Sequence, residues 1–205
     1  MAKNSRSLFN SIAPIYGLFY EKQKNRYRII IDKASDELDL STFHKVLDVG
    51  CGTGALCYVL NEKGLMVTGV DAADKMLNIA KRQPENKLIT FIQANVLEQL
   101  PFEDKLFDIS IASYVAHGLQ KNERKQLYAE MSRVTKNKVI IYDYNQRRAL
   151  LTTIIEWLER GDYFQFIKEA EHEMKNCVFE MKECFSEVKV VDVDYKAAWY
   201  ICTLA

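Results

Sequence analysis

The feature that most constrains this chain is the alternation, from Lys45 onward, of short β-rich apolar runs with amphipathic segments of helical spacing. Strands that alternate with helical crossovers form a parallel sheet with helices on both faces. Five strands are predicted in this part of the chain, over residues 45–50, 66–71, 88–95, 107–115 and 138–145. Helices are predicted from Ala55 to Lys63, from the Met76 region to the residues before Pro84, and from Asn122 to Val134.

The C-terminal part of the sequence ends in two further β-rich runs, Glu187–Asp194 and Ala198–Leu204. The turn between them is too short for a crossover, so one of the two strands should run antiparallel. The 205 residues therefore predict one α/β domain built on a seven-stranded, mostly parallel sheet. Within it we expect an N-terminal helical cap over 1–44, a core over 45–145, and a helical insert followed by a β-hairpin over 146–205.

Composition and processing signals narrow the class of protein. The formal net charge is +0, which disfavours a dedicated nucleic-acid binder, because such proteins neutralise phosphates with an excess of basic residues. The five cysteines form no C-x-x-C pair, and neither a signal peptide nor an apolar run of about 20 residues is evident. These features predict a cytoplasmic protein with reduced thiols and no membrane span.

The densest chemical signal is the run Val46-Leu47-Asp48-Val49-Gly50-Cys51-Gly52-Thr53-Gly54, where a strand turns sharply into a helix. Glycines there permit positive φ and let a ligand approach the backbone closely. Asp71 ends the next strand, where its carboxylate could accept hydrogen bonds from both hydroxyls of a ribose. A tight turn alone would explain the glycines, but the turn and Asp71 together predict a nucleoside-bearing ligand.

The residues leave two cofactor classes open. Gly50-x-Gly52-x-x-Ala55 satisfies the fingerprint of dinucleotide-binding proteins, which favours a nicotinamide cofactor. However, some 45 residues precede the loop, whereas the fingerprint usually opens a dinucleotide domain. The closely spaced Gly52-Thr53-Gly54 fits the amino-acid tail of a cofactor equally as well as the pyrophosphate of a dinucleotide.

Several motifs, in this order, resemble those of the class I S-adenosylmethionine (SAM)-dependent methyltransferases, particularly the ubiquinone/menaquinone-type small-molecule branch. Val46–Gly54 resembles the first motif of that family, and Asp71-Ala72-Ala73-x-x-Met76-Leu77 resembles the second. Three further stretches are similar to family elements: Ala94-Asn95-Val96-x-x-Leu100-Pro101-Phe102, Phe107-Asp108, and Phe9-Asn10-x-Ile12-Ala13-x-x-Tyr16. The resemblance implies a Rossmann-like fold and SAM as cofactor, with S-adenosylhomocysteine as product.

Carried over by position, the resemblance also implies roles for individual residues. The glycines of the loop would line the methionine portion of the cofactor, Asp71 would hold the ribose, and Tyr16 would cap the pocket. The adenine would lie near Ala72, Met76 and Asn95, where Asn95 replaces the usual Asp. The cofactor-binding set is Tyr16, Asp48, Gly50, Cys51, Gly52, Gly54, Asp71, Ala72, Met76, Asn95, Val96 and Ser113.

Candidates for catalysis and substrate contact lie at strand ends, in the N-terminal region and in the predicted helical insert. His117 follows the fourth strand, and its near-neutral intrinsic pKa suits a general base, although a locally packed loop histidine would look the same. Tyr16 is a second candidate, either ordering ligands or anchoring the N-terminal helix. Asp143, Tyr144 and Asn145 end the fifth strand, where they could contact substrate or cap a helix. Aromatic residues at helical spacing could cover a substrate pocket or belong to the core: Trp157, Tyr163, Phe164 and Phe166.

The predicted function is transfer of a methyl group from SAM to a small-molecule acceptor by in-line displacement. The loop Ser113-Tyr114-Val115-Ala116-His117-Gly118 lacks the motifs of nucleic-acid amino-methyltransferases, and the histidines show no zinc spacing, so no metal is expected. Two alternatives stay open: an NAD(P)-dependent oxidoreductase and a non-catalytic SAM-binding regulatory protein. The expected assembly is a monomer or homodimer.

Overall fold

The structure is a computed structural model that describes residues 2–145 and 177–204. Within those residues, seven strands form one mixed sheet. In chain order they are β1 (Lys45–Val49), β2 (Met66–Asp71), β3 (Thr90–Gln93), β4 (Phe107–Ser113), β5 (Thr135–Tyr144), β6 (Glu187–Asp194) and β7 (Ala197–Thr203).

The order of the strands in space is β3-β2-β1-β4-β5-β7-β6. All pairings from β3 to β5 are parallel, whereas β7 runs antiparallel to both β5 and β6. The predicted seven-stranded sheet with one reversed C-terminal strand is therefore confirmed. The chain order reverses between β1 and β4, and in open α/β sheets ligands bind at the carboxyl ends of strands beside such a switch point.

Helices cover both faces of the sheet. The assigned α-helices are α1 (Ala2–Leu18), α2 (Tyr20–Ala34), α3 (Ala55–Glu62), α4 (Asp74–Arg82) and α5 (Lys121–Val134), and residues 177–184 are also helical. One apolar cluster joins α2, α3 and α4 to one face, and a second joins α5 and residues 177–184 to the other. Because both faces are covered, successive side chains of β1 from Val46 to Val49 are all buried.

The N-terminal extension predicted as helical consists of α1 and α2. Helix α1 lies against α4, where Ala13 packs with Ala73 and Met76 in a small buried cluster. Helix α2 lies against α3, and its buried Lys24 donates to Glu85, which holds the helix to the segment before β3.

Strand β3 is shorter than predicted. The strand predicted over 88–95 covers only Thr90–Gln93, because the 3₁₀ helix Pro84–Leu88 includes its first predicted residue, Leu88, which is exposed. The buried side chain of Asn86 accounts for this difference, because it accepts from the Tyr20 hydroxyl and donates to the Ala80 carbonyl, which fixes the turn. The predicted helix and aromatic residues between 146 and 176 lie outside the described residues.

A buried ion pair joins α5 to the C-terminal part of the chain. The Arg124 guanidinium donates to both carboxylate oxygens of Glu180, at 2.7 and 3.1 Å, and also to the Leu119 carbonyl. Both side chains are almost fully buried. Removing either partner would leave an uncompensated buried charge, so the pair fixes residues 177–184 against α5.

All five cysteines are free, and four of them are buried. Among the residues that the structure describes, no helix is long and apolar enough to cross a membrane.

Two glycines with positive φ differ in the space around them and make a matched pair for testing the fold. Gly54 has φ +80°, and an added Cβ would lie 2.9 Å from both Asn86 and Phe91. Gly64 has φ +89° with nothing within 4 Å of such a Cβ.

Gly64→Ala should cost about 1–2 kcal/mol of unfolding free energy from backbone strain alone. Gly54→Ala should cost about 1–3 kcal/mol more, because it also overpacks the core. Urea unfolding of both variants measures the difference, and equal losses would contradict the packing described around Gly54.

Candidate active site

The register of the sheet brings three of the predicted cofactor-binding segments to one edge. Val49 at the end of β1 is paired with Val70 of β2 on one side and with Ala112 of β4 on the other. The residues that follow these three positions therefore emerge side by side at the carboxyl edge of the sheet. They are the glycine loop (residues 50–54), Asp71 and Ser113.

The glycine loop is fixed by its own backbone. The amides of Gly50 and Cys51 both donate to the Val70 carbonyl, at 2.8 and 3.0 Å. A Cβ on Gly50 would lie 2.6 Å from Val115, so the loop needs glycine there. At Gly52, φ is +52° and nothing lies within 4 Å of an added Cβ, so the backbone is open to a ligand on that side.

Asp71 connects the glycine loop to the start of α4. One carboxylate oxygen accepts from the Gly52 amide and the other from the Ala73 amide, both at 2.8 Å. Burial raises the pKa of Asp71, and these backbone bonds oppose the rise. A carboxylate offers about four lone-pair sites. Asp71 can therefore hold the loop and still accept two hydrogen bonds from a ribose.

Asp48 is a buried carboxyl beneath the loop. Burial raises its pKa to about 7, although the Cys57 thiol donates to one carboxylate oxygen at 3.1 Å. The other oxygen, Oδ1, is buried and has no hydrogen-bond partner among the described residues. An unpartnered buried acceptor of this kind is the atom expected to receive a cationic or donor group of a ligand.

Helix α2 brings two side chains to this edge that the sequence analysis missed. The Thr53 hydroxyl donates to Gln23 Oε1 at 3.1 Å, and the hydroxyl oxygens of Tyr27 and Ser113 lie 2.9 Å apart. The available signal was the spacing of Gln23 and Tyr27, since residues four apart share one helix face. That spacing does not reveal which surface the face covers, so the sequence alone could not place them.

His117 and Asp143 are brought together as a pair. His117 Nδ1 lies 2.8 Å from Asp143 Oδ1, and the His117 amide donates to Asp143 Oδ2 at 3.1 Å. The Asp143 side chain is fully buried and that of His117 is largely buried. A carboxylate that accepts from Nδ1–H fixes the imidazole in the tautomer whose Nε2 accepts protons. An imidazole oriented in this way is chemically able to act as a general base.

A cluster of tyrosines adjoins His117 and is centred on Tyr114. Its ring centroid lies 4.8 Å from that of Tyr142, 5.3 Å from that of Tyr144 and 6.3 Å from that of His117. Tyr114 has φ +54°, a left-handed conformation that is uncommon for a residue with a side chain. Such strain often occurs at functional sites. Its hydroxyl accepts from Arg26 at 3.1 Å, which connects the cluster to α2.

The other residues of the predicted site occupy varied positions. Tyr16 lies on α1, partly exposed, with its ring edge-on to Phe9. Asn95 accepts from the Leu97 amide and donates to Glu98 in a local turn, and Val96 follows it, partly buried. The Ala72 carbonyl accepts from Gln93, and Met76 is buried. Their roles toward a cofactor stay predictions.

Cys51 is buried, and burial raises the pKa of its thiol to about 11. It therefore packs behind the loop as an inert thiol. His44 precedes β1 at the opposite edge of the sheet, and His172 lies outside the described residues. The described part of the chain contains no group of three or more potential metal ligands.

Comparison with known proteins relates this chain to methyltransferases. A family described as "Methyltransferase domain" matches residues 46–138. A solved structure, a putative SAM-dependent methyltransferase from Methanococcus maripaludis, superposes with a TM-score of 0.73 at 16% identity, covering 96% of this chain and 93% of that one. The chain thus shares its fold with that structure over nearly its whole length.

Two relatives in sequence extend the comparison. An uncharacterized protein of Methanocaldococcus jannaschii is 28% identical over 88% of this chain and 78% of its own length. The chloroplastic 2-phytyl-1,4-beta-naphthoquinone methyltransferase of Arabidopsis thaliana is 31% identical over 75% of this chain, which spans 62% of that enzyme. These findings agree with the resemblance seen in the motifs: the chain contains a region matched by a methyltransferase-domain model and has methyltransferases among its relatives in sequence.

The buried Asp48 carboxyl makes a prediction about stability and pH. Its pKa is raised in the folded state, so its contribution to stability is fully present below the unfolded pKa and is lost as pH rises toward about 7. Asp48→Asn should therefore stabilise the protein relative to wild type above pH 7, with the gain growing by at most about 1.4 kcal/mol per pH unit between pH 4 and 7. Thermal unfolding from pH 4.5 to 8.5 measures this. A gain that is independent of pH would show that Asp48 does not titrate in this range.

Proposed function

We propose that the protein transfers a methyl group from SAM to a small aromatic acceptor whose nucleophile carries an acidic proton, with His117 as general base. The observation that carries the proposal is the His117–Asp143 pair, which lies at the same sheet edge as the glycine loop. The predicted cytoplasmic location fits the reduced cysteines and stays a prediction.

The residues at the glycine loop fit SAM. Asp48 Oδ1 is a buried acceptor suited to the ammonium group of an amino-acid tail. Asp71 retains lone pairs for two ribose hydroxyls, and Gly52 leaves the backbone accessible. A nicotinamide dinucleotide is disfavoured because β7 is inserted antiparallel between β5 and β6, whereas the dinucleotide fold has strand order 3-2-1-4-5-6.

The tyrosine cluster indicates the chemistry of the acceptor. The rings of Tyr114 and Tyr144 lie next to the His117 ring, which is 5.0 Å from that of Tyr144. Aromatic rings favour edge-to-face and offset contacts with other aromatic groups. The naphthoquinone methyltransferase relative supports an aromatic acceptor for this chain as well.

In the proposed mechanism the protein orients the reactants and moves one proton. SAM, when bound, supplies a methyl group activated by a sulfonium. His117 removes the proton from the acceptor nucleophile, and Asp143 stabilises the imidazolium that results. General-base assistance of this kind is worth about 10²–10⁴-fold in rate. The loop and Asp71 contribute by holding the reactants in line, which lowers the entropic part of the barrier.

The cofactor half of the proposal is tested at Asp71. Asp71→Asn keeps the size of the side chain but removes its charge. The amide has one oxygen, so it can no longer accept hydrogen bonds from the loop and from two ribose hydroxyls at the same time. Hydrogen bonds to a charged group contribute about 1.5–3 kcal/mol, so SAM affinity should fall about 10- to 100-fold in calorimetry. Asp74→Asn, a partly exposed carboxylate on α4, is the matched control and should retain wild-type affinity. Equal affinities for wild type and Asp71→Asn would overturn the assignment of the ribose site.

The catalytic half is tested at His117. His117→Gln and Asp143→Asn should lower turnover of weakly acidic phenols by about 10²–10⁴-fold, with SAM affinity unchanged. 2,4-Dinitrophenol, which is fully ionised at neutral pH, should be methylated by these variants nearly as well as by wild type. His44→Gln, at the opposite edge of the sheet, is the control.

Two results would count against this role. A loss of turnover that is the same for ionised and un-ionised acceptors would show that His117 does not act as a base. Normal SAM binding by wild type, with no turnover of any acceptor, would favour the non-catalytic SAM-binding alternative.

A further inference from the structure

We propose that Gln23 of α2 binds the carboxylate of the cofactor's amino-acid tail, so that α2 forms the cover over that end of the site. The inference rests on the proposed function, because it takes SAM as the ligand. It assigns a residue outside the sequence motifs that identify the cofactor loop.

The position of Gln23 is fixed by its contact with the loop. The Thr53 hydroxyl donates to Gln23 Oε1, and Thr53 itself is buried within the glycine loop. When the amide oxygen accepts, the NH₂ group keeps two donors. That NH₂ group has no hydrogen-bond partner among the described residues, and the Gln23 side chain is only partly buried. It is therefore a donor available beside the loop.

Tyr27, one helical turn further along α2, extends the cover to the next strand. Its hydroxyl lies 2.9 Å from the Ser113 hydroxyl at the end of β4, and its ring is edge-on to that of Tyr142. Gln23 and Tyr27 thus contact the loop after β1 and the end of β4. The face of α2 spans the gap between these strands, which is the switch point of the sheet.

The helix that presents Gln23 is rigidly held. The buried Tyr20 hydroxyl donates to Asn86, and Lys24 donates to Glu85 at 2.7 Å while lying over the rings of Tyr20 and Tyr58. Because residues on either side of Gln23 are anchored, its amide is held in place before a ligand arrives. Such preorganisation lowers the entropic cost of binding.

Charge complementarity indicates which group Gln23 binds. The tail of SAM is an α-amino acid with one cation and one anion a few bonds apart. The unpartnered Asp48 Oδ1 beneath the loop suits the ammonium group, so the carboxylate requires donors on another side. Gln23 offers a neutral amide donor beside Thr53 of the loop, and the open backbone at Gly52 lies on the same loop.

The test compares two ligands that differ only in the tail. S-adenosylhomocysteine carries the amino-acid group, whereas 5′-methylthioadenosine lacks it. Gln23→Leu removes the donors and should weaken S-adenosylhomocysteine about 10- to 100-fold in calorimetry while leaving the affinity for methylthioadenosine unchanged. Gln126→Leu, an exposed glutamine on α5, is the matched control and should change neither affinity.

A second variant separates ligand binding from support of the loop. Gln23→Glu still accepts from Thr53 but places a negative charge where the carboxylate would bind. It should weaken S-adenosylhomocysteine at least as much as Gln23→Leu does, again without affecting methylthioadenosine. A merely structural role through Thr53 predicts the reverse, with Gln23→Glu retaining wild-type affinity for both ligands.

The outcomes distinguish this inference from the proposed function. If wild type binds neither ligand, the proposed function fails. If wild type binds S-adenosylhomocysteine but Gln23→Glu binds it equally well, only the assignment of Gln23 is overturned. A loss of affinity that is the same for both ligands would also overturn it, because it would show a general distortion of the pocket.

Discussion

The backbone bonds between the glycine loop and the end of β2 are the constraint on which the site depends. The amides of Gly50 and Cys51 share the Val70 carbonyl, and the Gly52 amide donates to Asp71. These bonds turn the chain sharply at the switch point of the sheet, which exposes the backbone at Gly52. The same carboxylate also fixes the start of α4 through Ala73. One acid therefore positions the glycine loop and the start of α4, where cofactor contacts are predicted.

The site combines two carboxyl groups whose surroundings differ. Asp71 is held by two backbone amides, which favour its charged form, whereas Asp48 is buried with a single thiol donor. A buried carboxylate with so few partners is costly to the folded state. In a protein optimised only for stability, this position would carry a neutral residue. The carboxyl of Asp48 therefore lowers the stability of the fold at this position. Residues of this kind occur where ligand binding requires a polar group that the protein itself leaves without a partner.

Much of the fold and part of the site followed from the sequence, for physical reasons that differ between elements. The apolar runs of β1, β2 and β4 are unambiguous because strands buried on both faces contain few polar residues. The edge strand β3 was predicted too long, since the buried contacts of Asn86 are tertiary and leave no periodic signal. His117 was predicted as a candidate from its place after β4, but its pairing with Asp143 depends on the register of β4 and β5. Gln23 and Tyr27 could not be found, because their helix docks through long-range contacts.

The insertion of β7 between β5 and β6 has a consequence for how the chain folds. The pairing of Lys138 with Thr203 closes a loop of about 65 residues, whereas the pairs of β6 with β7 are local. During synthesis, the outer edge of β5 stays unpaired until β7 has emerged, although the parallel strands before it are already complete. An unpaired apolar edge invites association with other chains. A local hairpin of β6 and β7 that docks as a unit would shorten the time during which the edge of β5 is unpaired.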